Sequence, residues 1–159
     1  MSLLEDLDLV AAVSLAGKAA DAEGLTALRA AGLTGLRVGH GYVVQRLIDG
    51  PDTIGEIARQ LGVSQQSVSR SIGELTVAGY VRAVEDPVDR RRRLQELTER
   101  GRQAVAVSRR ARAELVARLE AEVGARDLGV ASAVVVRLLQ VLGVDDDIRR
   151  RAVRPGDQL

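Results

Sequence analysis

Few side chains in this 159-residue sequence could do covalent chemistry. With no cysteine and a single histidine, His40, the composition excludes disulfides, thiolate metal sites, a thiol redox switch and a histidine-rich zinc site. No nucleophile stands at a recognisable spacing from a base, so neither an enzyme nor a cofactor is expected. Polar chemistry is concentrated in two other places. Arg90, Arg91, Arg92 and Arg93 stand side by side in a chain of formal net charge +1. Set against Asp89 they amount to about +3 over five residues, a strong local footprint on a nearly neutral protein. The second place is Ser64, Gln65, Gln66, Ser67, Ser69 and Arg70. Gln can bind adenine through two edge groups, Arg can bind guanine in the same two-pronged way, and Ser hydroxyls can reach phosphates. Both sets suit double-stranded DNA.

Such residues need elements to present them. The stretch TIGEIARQLGVSQQSVSRSIGELTVAGYV, from Thr53, holds two short helices with separate start signals. Thr53 and Glu56 form a capping box, Ile54, Ile57, Ala58 and Leu61 give one apolar face, and Gly62 breaks the helix. Ser64 then caps a second helix whose Val68, Ile72 and Leu75 point inward, which leaves Gln65, Gln66, Ser69, Arg70 and Gly73 on the outer face. Gly79 ends it. Helix, tight turn and helix make a helix-turn-helix. YVRAV is β-rich, EDPVDRR is turn-like and RRLQEL can return as a second strand, so a hairpin follows directly. The arginines lie at its tip, a winged arrangement.

Around this unit the pattern is helical. Leu, Val, Ala and Ile supply almost all the apolar side chains, with no Phe or Trp and only Tyr42 and Tyr80. An amphipathic helix is expected over residues 3–17, a short second one between Gly24 and Gly32 with Leu25, Leu28 and Ala31, and a third from Thr34 to Ile48. Leu36, His40, Val43 and Leu47 share a face of the third. His40 is thus a hydrogen-bonded interface residue or, with Arg37 one turn earlier, a contact for an anion. Gly39 and Gly41 lack the strand, loop and helix context of a nucleotide site. Thr98 caps a long helix to about Val123. A last helix, 127–143, carries Leu128, Val130, Val134, Val135, Leu138, Leu139 and Leu142 on nearly all sides, more apolar surface than a single small domain buries, so a second copy of the chain is expected to cover it. The tail 146–159 reads as solvated. LGVASAVVVRLLQVLGV is interrupted by Arg137 and Gln140 and falls short of the ~20 residues of a membrane span. Glu5, Asp6 and Asp8 stand where a secretory signal would be basic, so a cytoplasmic protein without a membrane partner is expected.

The sequence resembles the MarR family of transcriptional regulators in three motifs in register: the helix-turn-helix stretch, DPVDRRRR as the D-x-R wing motif, and LTERG opening the helix after the wing. The resemblance implies a mainly α, winged helix-turn-helix fold with a small β-hairpin wing and N- and C-terminal dimerisation helices. Its divisions would fall at 1–33, 34–101, 102–145 and 146–159. It implies a homodimer on a pseudo-palindromic operator, with DNA-binding residues Ser64, Gln65, Gln66, Ser67, Ser69, Arg70 and Arg90 to Arg93, and with Asp89 and Arg91 bracing the wing, Asp89 through a guanidinium. With Asp89 and one guanidinium fixing the hairpin, Arg90, Arg92 or Arg93 would enter the minor groove of DNA. It further implies a repressor released by a small anionic or phenolic effector between the dimerisation helices and the winged domain, near Arg37, His40 and Val44. The peroxide-sensing and zinc-sensing branches are excluded by the absent cysteine and histidine cluster. A competing reading is a winged-helix interaction module whose arginines bind an acidic protein partner.

Overall fold

The computed structural model describes residues 6–143, so the expectations for residues 1–5 and for the tail 146–159 lie outside the described residues. Five helices and one hairpin follow in the order α1 (Leu9–Ala30), α2 (Val38–Leu47), α3 (Ile54–Leu61), α4 (Gln65–Val77), β1 (Val81–Glu85), β2 (Arg93–Leu97) and α5 (Glu99–Val141). The mainly helical winged architecture is as expected, and the helices differ in detail.

First, α1 runs unbroken through Gly24 and starts at Leu9, because Asp8 is its N-cap, accepting the Ala11 N–H at 2.9 Å. A helix-interior glycine costs about 1 kcal/mol relative to alanine, and the packing of α1 along α5 outweighs it. Second, α2 begins at Val38 and not at Thr34, since Gly35 has φ +81°, which no right-handed helix accommodates. Third, the capping box of α3 is only half formed. Thr53 Oγ1 accepts the Glu56 N–H at 3.2 Å, but the Glu56 carboxylate turns to Arg59 and Gln60, and the Thr53 N–H is satisfied by Asp52 at 2.8 Å.

The turn between α3 and α4 works through Gly62, left-handed at φ +66°, and Ser64, whose Oγ accepts the Ser67 N–H at 3.2 Å. Ile57, Ala58 and Leu61 of α3 and Val68, Ile72 and Leu75 of α4 are buried together with Leu28, Leu33, Val43 and Leu47. One core therefore fixes the angle at which α4 presents its other side. The hairpin pairs Val81 with Leu97 through Glu85 with Arg93, antiparallel, and Asp52 bridges to Gln95 beside it.

The LTERG segment is where α5, the hairpin and the loop between α1 and α2 meet. Thr98 donates its hydroxyl to the Gly79 carbonyl at 2.6 Å and caps α5 by accepting the Gly101 N–H at 3.1 Å. Arg100 lies over the Tyr80 ring, 4.8 Å from its centre, and donates to the Gly32 carbonyl at 3.1 Å, while Tyr80 donates to the Thr34 carbonyl at 2.8 Å. Gly101 is buried against Tyr80 and Leu97. Further along, α5 changes direction at Gly124, whose φ of 80° and ψ of 155° are not helical, so the two expected C-terminal helices are joined at a single residue. Among the described residues no helix is long and apolar enough to cross a membrane.

Candidate nucleic-acid interface

With Val68, Ile72 and Leu75 turned into the core, Gln65, Gln66, Ser67, Ser69, Arg70 and Gly73 are all exposed on α4. The face is continuous and free of large apolar side chains from Gln65 to Gly73, and the exposed Val77 follows one turn later. Two of its members already have local duties. Ser64 spends an oxygen lone pair on its cap, though its hydroxyl proton stays available. Gln65 lies over α3, its amide nitrogen 3.4 Å from where a Cβ on Gly55 would stand. Gln66 and Arg70 are one turn apart on the open side, the geometry for reading neighbouring bases.

The wing differs from expectation in how it is braced. The acid that anchors it is Asp86, buried to 7% exposure. Its Oδ1 accepts the N–H groups of Val88 at 2.8 Å and Asp89 at 3.3 Å, and its other oxygen faces the Arg92 guanidinium at 3.5 Å. Those backbone bonds, Val88 foremost, hold the Asp86 carboxyl below its usual pKa against the cost of burial. Asp89 pairs with no guanidinium among the described residues. It accepts the backbone N–H of Arg91 at 3.0 Å, and its carbonyl takes the Arg92 N–H at 2.9 Å, so it shapes the turn from within. A short acid this close to its own following N–H groups forms such a turn before it can reach outward.

Consequently the four arginines are not equivalent. Arg92 is tied to Asp86, and Arg93 faces Glu85 across the hairpin at 3.8 Å. Arg90 and Arg91 have no side-chain partner among the described residues and stand exposed at the tip. Arg91, expected as a brace, is therefore a projecting group, and Arg92 and Arg93 are partly neutralised.

The third set, Arg37, His40 and Val44, lines a half-open cavity of about 280 Å³ between α1, α2 and α5, with Tyr80 also on its wall. His40 is buried to 1% exposure. Its Nδ1 accepts the Arg37 backbone N–H at 3.3 Å, which places the ring proton on Nε2, and Nε2–H donates to Glu74 Oε2 at 2.9 Å. Burial is the main cause of a His40 pKa below the ordinary value, with the Glu74 hydrogen bond working the other way, so the ring is neutral at pH 7. Arg37 also pairs with Glu74. Glu74, Asp86, Arg109 and Arg112, the last two on the α5 side of the cavity, escaped the sequence reading. Only Asp86 had a local signal: an acid before Pro87 and three residues before Asp89 is a turn former.

A helix-turn-helix whose second helix shows a polar face beside an arginine-tipped hairpin is a recurring arrangement, and residues 31–92 match the sequence profile of the MarR family. Over that segment, which is about two fifths of the chain, the sequence is similar to the MarR family. The likeness to solved structures extends beyond the winged unit into the flanking helices. FabT of Streptococcus pneumoniae, crystallised in complex with DNA, is 21% identical, with a TM-score of 0.68 over 82% of this chain and 92% of that one. RV1404 of Mycobacterium tuberculosis is 22% identical, with a TM-score of 0.65 over 84% and 89%. YusO of Bacillus subtilis is 20% identical, with a TM-score of 0.63 over 88% and 99%. No curated protein matches the chain in sequence. The fold is shared with these structures, and the three site groups lie on it as α4 face, wing tip and interhelical cavity.

Proposed function

We propose that the protein is a dimeric transcriptional regulator that reads a pseudo-palindromic DNA operator with α4, and that it acts as a repressor released by a small anionic or phenolic ligand. The observation that carries the DNA reading is the pairing of an unobstructed Gln66 and Arg70 on α4 with two unpaired wing-tip guanidiniums, Arg90 and Arg91, on the same domain. Base contacts from the helix give sequence preference, and the wing arginines add minor-groove and phosphate contacts. FabT, a protein of the same fold, was crystallised in complex with DNA, which supports the reading that this chain binds DNA.

Dimerisation follows from apolar surface that one copy leaves uncovered. Val130, Val134 and Val136 on the far arm of α5 are 60%, 45% and 52% exposed, and Leu9, Val10 and Leu15 on α1 are exposed as well. A second copy covers such faces symmetrically and sets two α4 helices at the spacing of two half-sites. The ligand reading rests on the cavity, with its apolar walls and its cationic side chains from α2 and α5.

Selection of bound fragments from random-sequence DNA tests the whole reading. Two-fold-symmetric sites are expected, and replacing Gln66 or Arg70 by Ala should relax the preference at one position in each half-site. Weak binding without sequence preference would instead favour the interaction module with an acidic protein partner. Sedimentation of a Val130→Glu, Val134→Glu variant should show monomers with poor operator affinity.

A further inference from the structure

The cavity and the DNA-reading face belong to different elements, and one short run of side chains joins them. Arg37 and His40, at the start of α2, stand on the cavity wall. Glu74 lies in the C-terminal half of α4, outside the lining, and both α2 residues hold its carboxylate, Arg37 by an ion pair and His40 by the 2.9 Å hydrogen bond. The two grips differ. The His40 side chain is only 2% exposed and is fixed by the Arg37 backbone, whereas the Arg37 and Glu74 side chains are 58% and 42% exposed. A half-exposed pair of long side chains is weakly held and easily exchanged.

The charges of the wall say what would exchange it. Glu23 is engaged by Arg118, which is not part of the lining. Asp21, Arg109 and Arg112 have no side-chain partner among the described residues, so the cavity has an unbalanced positive charge even before Arg37 is counted. Leu25, Leu28, Leu36, Val44 and Ile48 supply the apolar surface. The space admits a ligand of about a dozen non-hydrogen atoms, apolar at one end and anionic at the other.

We propose that Arg37 and Glu74 form a latch between the cavity and α4, opened when the carboxylate of an amphiphilic ligand takes Arg37 from Glu74. The latch rests on the reading of the cavity as an effector site. Once Arg37 turns to the ligand, Glu74 keeps the His40 hydrogen bond, and α4 loses its ion pair to Arg37. The ligand favours the unlatched state because only there is Arg37 free to meet it, which is the differential affinity any such shift requires. Linkage makes the coupling reciprocal, so whatever opens the latch must also tighten the ligand. Glu74 is on this account a positioning residue that touches neither ligand nor base.

The test uses the full chain, an operator selected from random DNA, and 4-phenylbutyrate with its neutral amide as probes. Calorimetry reads ligand binding and fluorescence anisotropy reads DNA. Phenylbutyrate should bind the wild-type protein and weaken operator binding at least fivefold, and the amide should do neither. Glu74→Gln keeps an acceptor for His40 but no charge for Arg37. It should bind operator at least threefold more weakly without ligand, bind phenylbutyrate at least threefold more tightly, and lose less than twofold further DNA affinity on saturation. Removing a negative charge would by itself strengthen DNA binding, so the expected weakening has the opposite sign to the general electrostatic effect. Arg37→Gln opens the same latch from the other end and should bind phenylbutyrate at least threefold more weakly. If Glu74→Gln responds to phenylbutyrate as wild type does, the latch is wrong and the effector cavity stands. If arylalkanoates from benzoate to phenylbutyrate all fail to bind the wild type, the effector reading falls and the latch with it.

Discussion

Replacing Gly101 by alanine probes the junction on which the wing's position depends. Gly101 is buried in the first turn of α5, where an added Cβ would stand far inside van der Waals contact with the Tyr80 carbonyl oxygen and 3.2 and 3.3 Å from two carbons of Leu97. That oxygen cannot retreat cheaply, because it also accepts the Thr98 N–H at 3.0 Å and belongs to a residue only 1% exposed. Overpacking costs about 1–3 kcal/mol, a strained or lost hydrogen bond about 1 more, and the helix preference of Ala over Gly returns up to about 1. The near-rigid backbone obstacle places the net loss at about 2–3 kcal/mol, or about 4–12 °C in melting temperature for a chain of this size. Melting would be followed by circular dichroism at 222 nm at matched protein concentration, since association couples to stability. Gly73→Ala on α4 is the control. Nothing lies within 4 Å of its added methyl, so it should gain about 0.5–1 kcal/mol from helix preference alone. A Gly101→Ala protein melting within about 2 °C of the parent would refute the close approach and the reasoning built on it.

The wing gives the next expectation: Asp86→Ala should weaken operator binding although it removes a negative charge, whereas Arg90→Ala and Arg91→Ala should each lower the salt dependence by about one unit of slope, more than Arg92→Ala or Arg93→Ala. Titrations at several salt concentrations check both, and tighter binding by Asp86→Ala would show that it does not anchor the hairpin. For pH, burial holds the His40 pKa below its ordinary value, so the unfolded chain binds more protons as pH falls below about 6.5. Stability present above that pH is therefore lost as pH drops from about 6.5 toward the folded value, and melting temperature should decline between pH 7.5 and 5.5. Glu74, whose pKa is lowered chiefly by the His40 hydrogen bond, and Asp86, lowered chiefly by the Val88 N–H, favour folding above their unfolded values and should add a further loss below about pH 4.5. A flat profile from pH 7.5 to 5.5 would argue against a neutral buried His40.

What was legible in the sequence was what repeats locally. Val68, Ile72 and Leu75 recur at four and three residues, so their burial and the opposite exposure of Gln66 and Arg70 followed from helix geometry alone. Thr98 and Ser64 were readable as caps for the same reason. The misses have a common cause in choices settled by neighbours distant in sequence or by exact turn geometry. Asp86 and Asp89 both stand near the arginines, and only the folded turn decides that Asp86 is buried beneath it while Asp89 bonds the Arg91 N–H. Glu74 meets His40 across 34 positions, a pairing that no local period encodes. Gly24 resembles a helix end by propensity alone, which takes no account of α5, and nothing in the neighbours of Gly35 announces its positive φ.

Gly124 adds a lesson about what a mutational survey of this chain would find. Its backbone, φ 80° and ψ 155°, falls in a region essentially reserved for glycine, yet beyond its own stretch of helix no described atom lies within 4 Å of an added Cβ. Ranking positions by burial or by contacts would score it as freely replaceable. Its intolerance comes instead from two torsion angles, which alone set how the far arm of α5, with Val130 and Val134, diverges from the arm that carries the wing. An alanine there would be expected to act at a distance, redirecting an entire helical arm while disturbing no packed side chain. It would be a silent position by inventory and a decisive one by geometry.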